Sequence, residues 1–301
     1  MSQEDFPIEF VLESIEAVMM AKQPKVLLFD IGGVCVISPF QAILNYELAN
    51  SIPPGWINFS ISRTAPTGTW HQLERGEILL DTTYFYNFTK DLHNPTLWSA
   101  FYTTKARVAN PSLPPEVPPM PKVNAEFVFW KMMSESRTFD PWMYPALLAL
   151  KKSGRYIIAA LSNTVIFPPS HPYSNPKPEE DIKAIFDLFI SSAHVGLRKP
   201  SPEIYALALK EIDDFSRENA SGRGGKELGW KDGVKADEIL FLDDIGENLK
   251  AGKKAGFRTL KVNLGRAFEA VDELEKVTGL KIAGTHPKIP VEPKYPKKAK
   301  L

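Results

Sequence analysis

Val26-Leu27-Leu28-Phe29-Asp30-Ile31-Gly32-Gly33 constrains the fold of this chain more than any other stretch. Four apolar residues run straight into an acid and two glycines. An unbroken apolar run this short suits a strand buried on both faces of a parallel sheet; a half-exposed strand would alternate. An Asp at the carboxyl end of such a strand faces the crevice where open α/β sheets bind ligands. Gly32 and Gly33 let the backbone turn sharply and approach a ligand closely. Alone, the stretch reads equally well as a buried strand followed by an Asp-Gly turn.

Three later strand ends change that balance. Tyr156–Leu161 is an apolar run that stops at Ser162-Asn163-Thr164. Leu188–Ile190 leads to Gly196-Leu197-Arg198-Lys199-Pro200, and Glu238–Leu242 stops at Asp243-Asp244. Helical patterns lie between and after them: Pro141–Ser153 closed by Gly154, a short one near Glu179–Phe186, Ser201 to about Phe215, Glu247 to Gly256, and Arg266–Val277 after a last strand, Arg258–Val262. Strand alternating with helix predicts an α/β fold with a doubly wound parallel sheet. All four polar clusters then fall at the same end of it.

Between Gln41 and about Asp140 no apolar run ends in an acid. Gln41–Asn50, Asp81–Leu92 and the stretch from Thr69 to Gly76 read as helices, and Pro111–Pro121 as an irregular surface loop. This region is expected to be an inserted helical cap. The resulting division is 1–24 as an N-terminal helix, amphipathic over Phe6–Met20, then 25–40 with 141–280 as core and 41–140 as cap. The Gly-rich Ser216–Gly233 segment is expected to be a flexible surface insertion, and 281–301 a disordered Pro- and Lys-rich tail.

With 301 residues, 36 basic and 36 acidic, the chain has no net charge. That gives no basis for nucleic-acid or membrane-surface binding. No apolar run approaches a membrane span in length, and the start lacks the basic-then-apolar order of a secretory signal. Cys35 is the single cysteine, so no intrachain disulfide forms and a reducing compartment is expected.

An Asp, a hydroxyl, a Lys and an acidic pair make a coherent phosphoryl-transfer set. Asp30 can attack phosphorus to form an aspartyl-phosphate. Two like-charged reactants need cations between them. Asp243 and Asp244 offer hard oxygens for Mg²⁺, with the Gly32 carbonyl as a further ligand. Lys199 adds a second positive charge, and Ser162 can hydrogen-bond the phosphate oxygens. Each cluster also has an ordinary reading. Ser-Asn-Thr after a strand is usually a helix cap, and a lysine before proline is usually a solvated loop residue.

The ordered set resembles the haloacid dehalogenase-like superfamily of hydrolases. It is most similar to the subfamily that includes the phosphatase domain of soluble epoxide hydrolases and bacterial sugar-phosphate phosphatases. The resemblance rests on Phe29–Val34, Glu74-Arg75-Gly76-Glu77-Ile78, Leu161-Ser162-Asn163, Gly196–Tyr205 and Phe241–Asn248, and spans about Lys25 to Gly279. It implies Asp30 as nucleophile, with Ser162 and Lys199 binding the phosphoryl group. It implies Mg²⁺ held by Asp30, the Gly32 carbonyl and Asp244, with Asp243 supporting the metal or Lys199. It places Asn163, Gly33, His71 and Arg75 among the residues that bind a small phosphate substrate, and a polar residue at Asn248.

One departure stands out. Superfamily phosphatases usually carry a second Asp, the general acid and base, where this chain has Gly32. His71, an imidazole that titrates near neutrality, is a candidate replacement; an ordinary helix histidine is the alternative. Other readings are a haloacid dehalogenase, a binding protein that lost activity at Gly32, and a terpenoid diphosphate phosphatase. Asp81-Thr82-Thr83 partly matches a cyclase motif of the last group, but Leu79 replaces its leading acid. No Gly-x-Ser-x-Gly elbow is present. The closing Ala299-Lys300-Leu301 is a near variant of a peroxisomal address and predicts a peroxisomal import receptor as partner.

Overall fold

The computed structural model describes residues 23–291. The N-terminal helix expected over Phe6–Met20 and the closing Ala299-Lys300-Leu301 lie outside them.

Five parallel strands form one sheet: β1 (Val26–Phe29), β2 (Ile157–Ser162), β3 (Leu188–Ser191), β4 (Ile239–Asp243) and β5 (Arg258–Lys261), in the order β3-β2-β1-β4-β5. β1 and β4 are buried along their whole length, as their continuous apolar runs require. β5, at the edge, carries Arg258 and Lys261 and is only partly covered. The register pairs Phe29 with Ala160 on one side and Leu242 on the other, so Asp30, Ser162 and Asp243 emerge at the same sheet end. The strand order reverses on either side of β1, which places Asp30 at the switch point.

Separate apolar clusters cover the two sheet faces. On one, Leu27, Phe29, Ile158 and Leu242 pack under α7 (Met143–Ser153) and α12 (Ala267–Thr278). On the other, Val26, Leu28, Ile157 and Phe241 pack under α9 (Pro202–Glu218) and α11 (Gly246–Lys254). Helices on both faces of a parallel sheet are the doubly wound arrangement predicted above.

The chain leaves the core after Val36 and returns at Phe139, where the two crossings bridge one another and Ile37 N–H donates to Thr138 O at 2.8 Å. Between them lie α1 (Pro39–Ala49), α2 (Trp56–Arg63), α3 (Thr69–Glu74), α4 (Thr82–Leu92), α5 (Pro95–Phe101) and α6 (Ala125–Glu135). They enclose their own aromatic core: Trp56 meets Trp98 edge-on with ring centres 5.2 Å apart, and Tyr84 stacks on Phe88 at 5.5 Å. Buried Glu47 on α1 caps α2, its carboxylate accepting from Gly55 N and Ile57 N.

Three expectations need correction. Glu179–Phe186 is not a regular helix but two 3-10 turns, Pro178–Glu180 and Ile182–Ile185. Ser216–Gly233 is not a loose insertion. α9 runs on to Glu218, and α10 (Arg223–Leu228) packs so closely that a Cβ on Gly225 would lie 2.1 Å from Ala220 O. These glycines serve close approach rather than freedom. The segment 281–291, assigned to a disordered tail, lies along the core. Ile282 is buried, Trp142 Nε1 donates to Pro287 O at 3.0 Å, and Val291 N donates to Gly265 O at 2.9 Å.

Candidate active site

Asp30 leaves β1 with its backbone still on the sheet, Asp30 N donating to Leu242 O at 2.8 Å. Its Oδ1 accepts from Ile31 N at 2.7 Å and faces Lys199 Nζ at 2.9 Å. Among the described residues Oδ2 is left free of hydrogen bonds. Lys199 is 1% exposed. Its Nζ also lies 2.7 Å from Asp243 Oδ2. Its main chain is clamped by Asn163, whose Oδ1 accepts from Lys199 N at 2.8 Å and whose Nδ2 donates to Lys199 O at 3.1 Å. Asn163 thus serves to fix Lys199, although it also lines the cavity.

Asp243 has both oxygens engaged. Oδ1 accepts from Ile245 N at 2.7 Å, Asn248 Nδ2 lies 3.1 Å from each oxygen, and Lys199 takes Oδ2. Of the two roles expected for Asp243, the geometry favours holding Lys199. Asp244 differs: its Oδ1 is buried and has no partner among the described residues.

Charge is unbalanced here. Asp30, Asp243 and Asp244 each bring an oxygen within 4.8 Å of the others, and among the described residues Lys199 is the cation that pairs with their carboxylates. Burial, with the neighbouring carboxylates adding to it, pushes Asp244 up to about 8. Burial raises Asp30 to about 6 despite Lys199. Burial works to lower Lys199, but Asp30 and Asp243 outweigh it and the ammonium is held above its ordinary value. An orphaned carboxylate oxygen amid three buried acids fits a hard divalent cation. The Gly32 carbonyl accepts no described turn or loop hydrogen bond and remains available as a further ligand.

The two glycines after Asp30 do different things. Gly33 has φ +78°, and a Cβ there would lie 2.6 Å from Asp244 Oδ2 and 2.8 Å from Leu264 Cδ2. It does not line the cavity. Its expected substrate contact is replaced by close packing against Asp244, with its N–H donated to Val36 O at 3.0 Å. Gly32 lacks a positive φ, and a Cβ on it would meet only Pro39 at 3.5 Å.

A cavity of about 650 Å³ opens beside these residues between core and cap. Asp30, Gly32, Ser162 and Lys199 line it from the core; Phe40, Ile43, Ile61, Trp70, Met132 and Phe139 form much of its apolar wall. Ser162 Oγ has no close partner, its nearest being Asn163 O at 3.5 Å. His71 lines the cavity too, with its Nδ1 buried and without a partner among the described residues. Its Nε2 sits 2.9 Å from Ile61 O, which assigns the ring proton to that nitrogen. Burial, then the Arg198 charge, lowers its pKa and favours the neutral ring. Arg75 does not reach the cavity: it forks onto Glu77 at 2.6 and 2.8 Å and donates to Pro66 O at 3.0 Å.

Sequence reasoning passed over Arg198, which lines the cavity and pairs with Glu74 at 2.7 Å. It also passed over Thr164, Ser191 and His194, joined by hydrogen bonds of 2.5 and 2.7 Å on the cavity wall. Their signal was adjacency to the motifs. Arg198 and Glu74, and Thr164 and Ser191, lie too far apart in the chain for spacing to reveal them; Ser191 and His194 stand three residues apart.

No family model matches the chain. Among curated proteins it is 26% identical over 255 residues to acyl-CoA dehydrogenase family member 10 of Mus musculus, covering 85% of this chain and 19% of that protein. It is 26% identical over 258 residues to bifunctional epoxide hydrolase 2 of Sus scrofa, covering 85% and 39%. The chain therefore spans between a fifth and two fifths of these relatives. Similar solved structures include a HAD-family enzyme of Bacteroides thetaiotaomicron crystallised with magnesium and inorganic phosphate, at 20% identity over 82% of this chain and 98% of that one, TM-score 0.42. An L-2-haloacid dehalogenase matches at 19% identity over 80% and 87%, TM-score 0.44. The four motif clusters gather at one end of a doubly wound sheet, and the chain is similar across most of its own length to these curated relatives.

Proposed function

We propose that the protein is a Mg²⁺-dependent phosphatase that transfers the phosphoryl group of an organic phosphate to Asp30 and then to water. The buried acid cluster carries this reading, above all the unpartnered Asp244 Oδ1 beside Asp30. A dehalogenase attacks carbon and has no phosphate charge to neutralise. Three crowded carboxylates would then add repulsion without benefit. Asp30, Asp244 and the Gly32 carbonyl would hold the ion. When bound, it would neutralise charge between carboxylate and phosphate.

The chain's own groups then have distinct tasks. Ile31 N–H and Lys199 fix Asp30 Oδ1, leaving Oδ2 to attack phosphorus. Lys199, locked between Asp30 and Asp243, presents its remaining positive charge to the phosphoryl oxygens, and Ser162 Oγ donates to them. Asp243 takes no part in bonding to phosphorus and holds Lys199 in place. The apolar cavity wall favours a substrate with a sizeable apolar body and excludes water from it. The test is a phosphate-release screen over aryl, alkyl and long-chain phosphates, with Mg²⁺ or chelator. Release should require Mg²⁺ and favour apolar esters; chelator-resistant turnover refutes the proposal.

A further inference from the structure

We infer that Glu74 and Arg198 form a latch that ties closure of the cap to the placement of both phosphoryl-binding elements, which makes them positioning residues of the site. For its catalytic consequence this rests on the phosphatase reading; its geometry does not. Glu74 ends α3 on the cap. Its Oε2 accepts from Arg198 Nη2 at 2.7 Å and from Nε at 2.9 Å, with both side chains largely withdrawn from solvent. Arg198 is the residue before Lys199.

The same end of α3 is joined to the core a second time. Glu74 O accepts from Ser192 Oγ at 2.6 Å, and that hydroxyl also accepts from Thr164 N at 2.8 Å. Thr164 closes the Ser162-Asn163 turn. The cap backbone then passes directly over the turn α8 (Ser192–Val195): a Cβ on Gly76 would lie 2.1 Å from Ala193 O, at a φ of +66°. One short stretch, Glu74–Gly76, therefore contacts the chain beside Lys199 and the chain beside Ser162 at once.

An ordinary surface ion pair would be worth little. This one is partly buried, and loss of one partner leaves the other's charge facing an apolar cavity. When the cap lifts, Arg198 and Ser192 lose their cap partners together. Lys199 and Ser162 lose the support that those partners give their flanking backbone. The latch should thus be felt even by a substrate too small to touch the cap.

The experiment uses the full chain and two charge-removing variants, Glu74→Gln and Arg198→Gln, with their double. Hydrogen exchange is followed at Gly76 N, bonded to Leu73 O, at Glu77 N, bonded to Gln72 O, and at Thr164 N. Each single variant should speed these amides about tenfold or more, the reach of one hydrogen bond to a charged group. Amides of β1 and β2 should keep their protection, and the double should be no worse than either single. With 4-nitrophenyl phosphate, kcat should fall while KM stays within about twofold, in the pattern of lost positioning. Unchanged exchange at all three amides overturns the inference, as do single effects that add. Should Arg198→Gln fail to fold, Glu74→Gln with its exchange readout decides alone. Wild-type protein inert toward every phosphate would count against the phosphatase reading and leave the exchange result standing.

Discussion

Asp244→Asn should stabilise the metal-free protein and abolish its response to Mg²⁺. In the unfolded chain this carboxyl titrates near its ordinary 3.8; in the fold, burial first and then Asp30 and Asp243 raise it to about 8. A raised acid favours the fold where both forms are protonated, below about pH 4. That support is lost as pH climbs toward 8, because the unfolded chain gives up its proton first. At pH 7 the gap is about three pH units, or about 4 kcal/mol at 1.36 kcal/mol per unit, as an upper limit. Asn keeps the shape and removes the titration. A gain of about 1–4 kcal/mol corresponds to a Tm higher by roughly 2–6 °C in a protein of this size. The assay is thermal unfolding in chelator between pH 5 and 9, repeated with Mg²⁺. Wild-type Tm in chelator should fall as pH rises, and the variant's should fall less. Mg²⁺ should raise wild-type Tm, more so at higher pH, and leave the variant unmoved. Equal pH dependence in chelator, or an equal Mg²⁺ shift in both, refutes the reasoning.

Two further substitutions separate the neighbouring glycines. Gly32→Asp has room at Cβ and no positive φ to oppose it, so the fold should hold. Turnover of alkyl phosphates should rise toward the roughly 10²-fold that general-acid help supplies, with aryl phosphates little changed; an unaltered alkyl-to-aryl rate ratio in the folded variant counts against this. Gly33→Ala instead forces a methyl onto Asp244 Oδ2 at a left-handed φ. It should cost about 1–3 kcal/mol in a denaturant titration and weaken Mg²⁺ binding by calorimetry, whereas wild-type values for both would contradict the close-packing role.

Much of the core was legible because its signals are local. Val26–Phe29 and Ile239–Leu242 are apolar throughout since both sheet faces are covered, and the acids after them stop those runs where the crevice opens. What stayed hidden depends on distance or direction. Glu74 and Arg198 stand 124 residues apart, and no spacing rule links them. The motif resemblance put Arg75 among the substrate-binding residues, yet one step around the end of a helix turns it away to Glu77. The cavity wall was hidden for another reason. Trp70 and Met132 sit on cap helices like any core residue, and only the fold shows that part of their surface faces a void. Glycine misled twice: at Gly224 and Gly225 it signals contact, and at Gly32 free space.

The central claim is that Asp30 takes the phosphoryl group. Incubating the Mg²⁺-loaded protein with an aryl phosphate, quenching in acid and mapping peptides by mass spectrometry tests it directly. A phosphoryl group should appear on the peptide bearing Asp30 within the first turnover, and be absent in chelator and in Asp30→Asn. Undiminished turnover in Asp30→Asn, with no phosphorylated peptide at any time in the wild type, would contradict it.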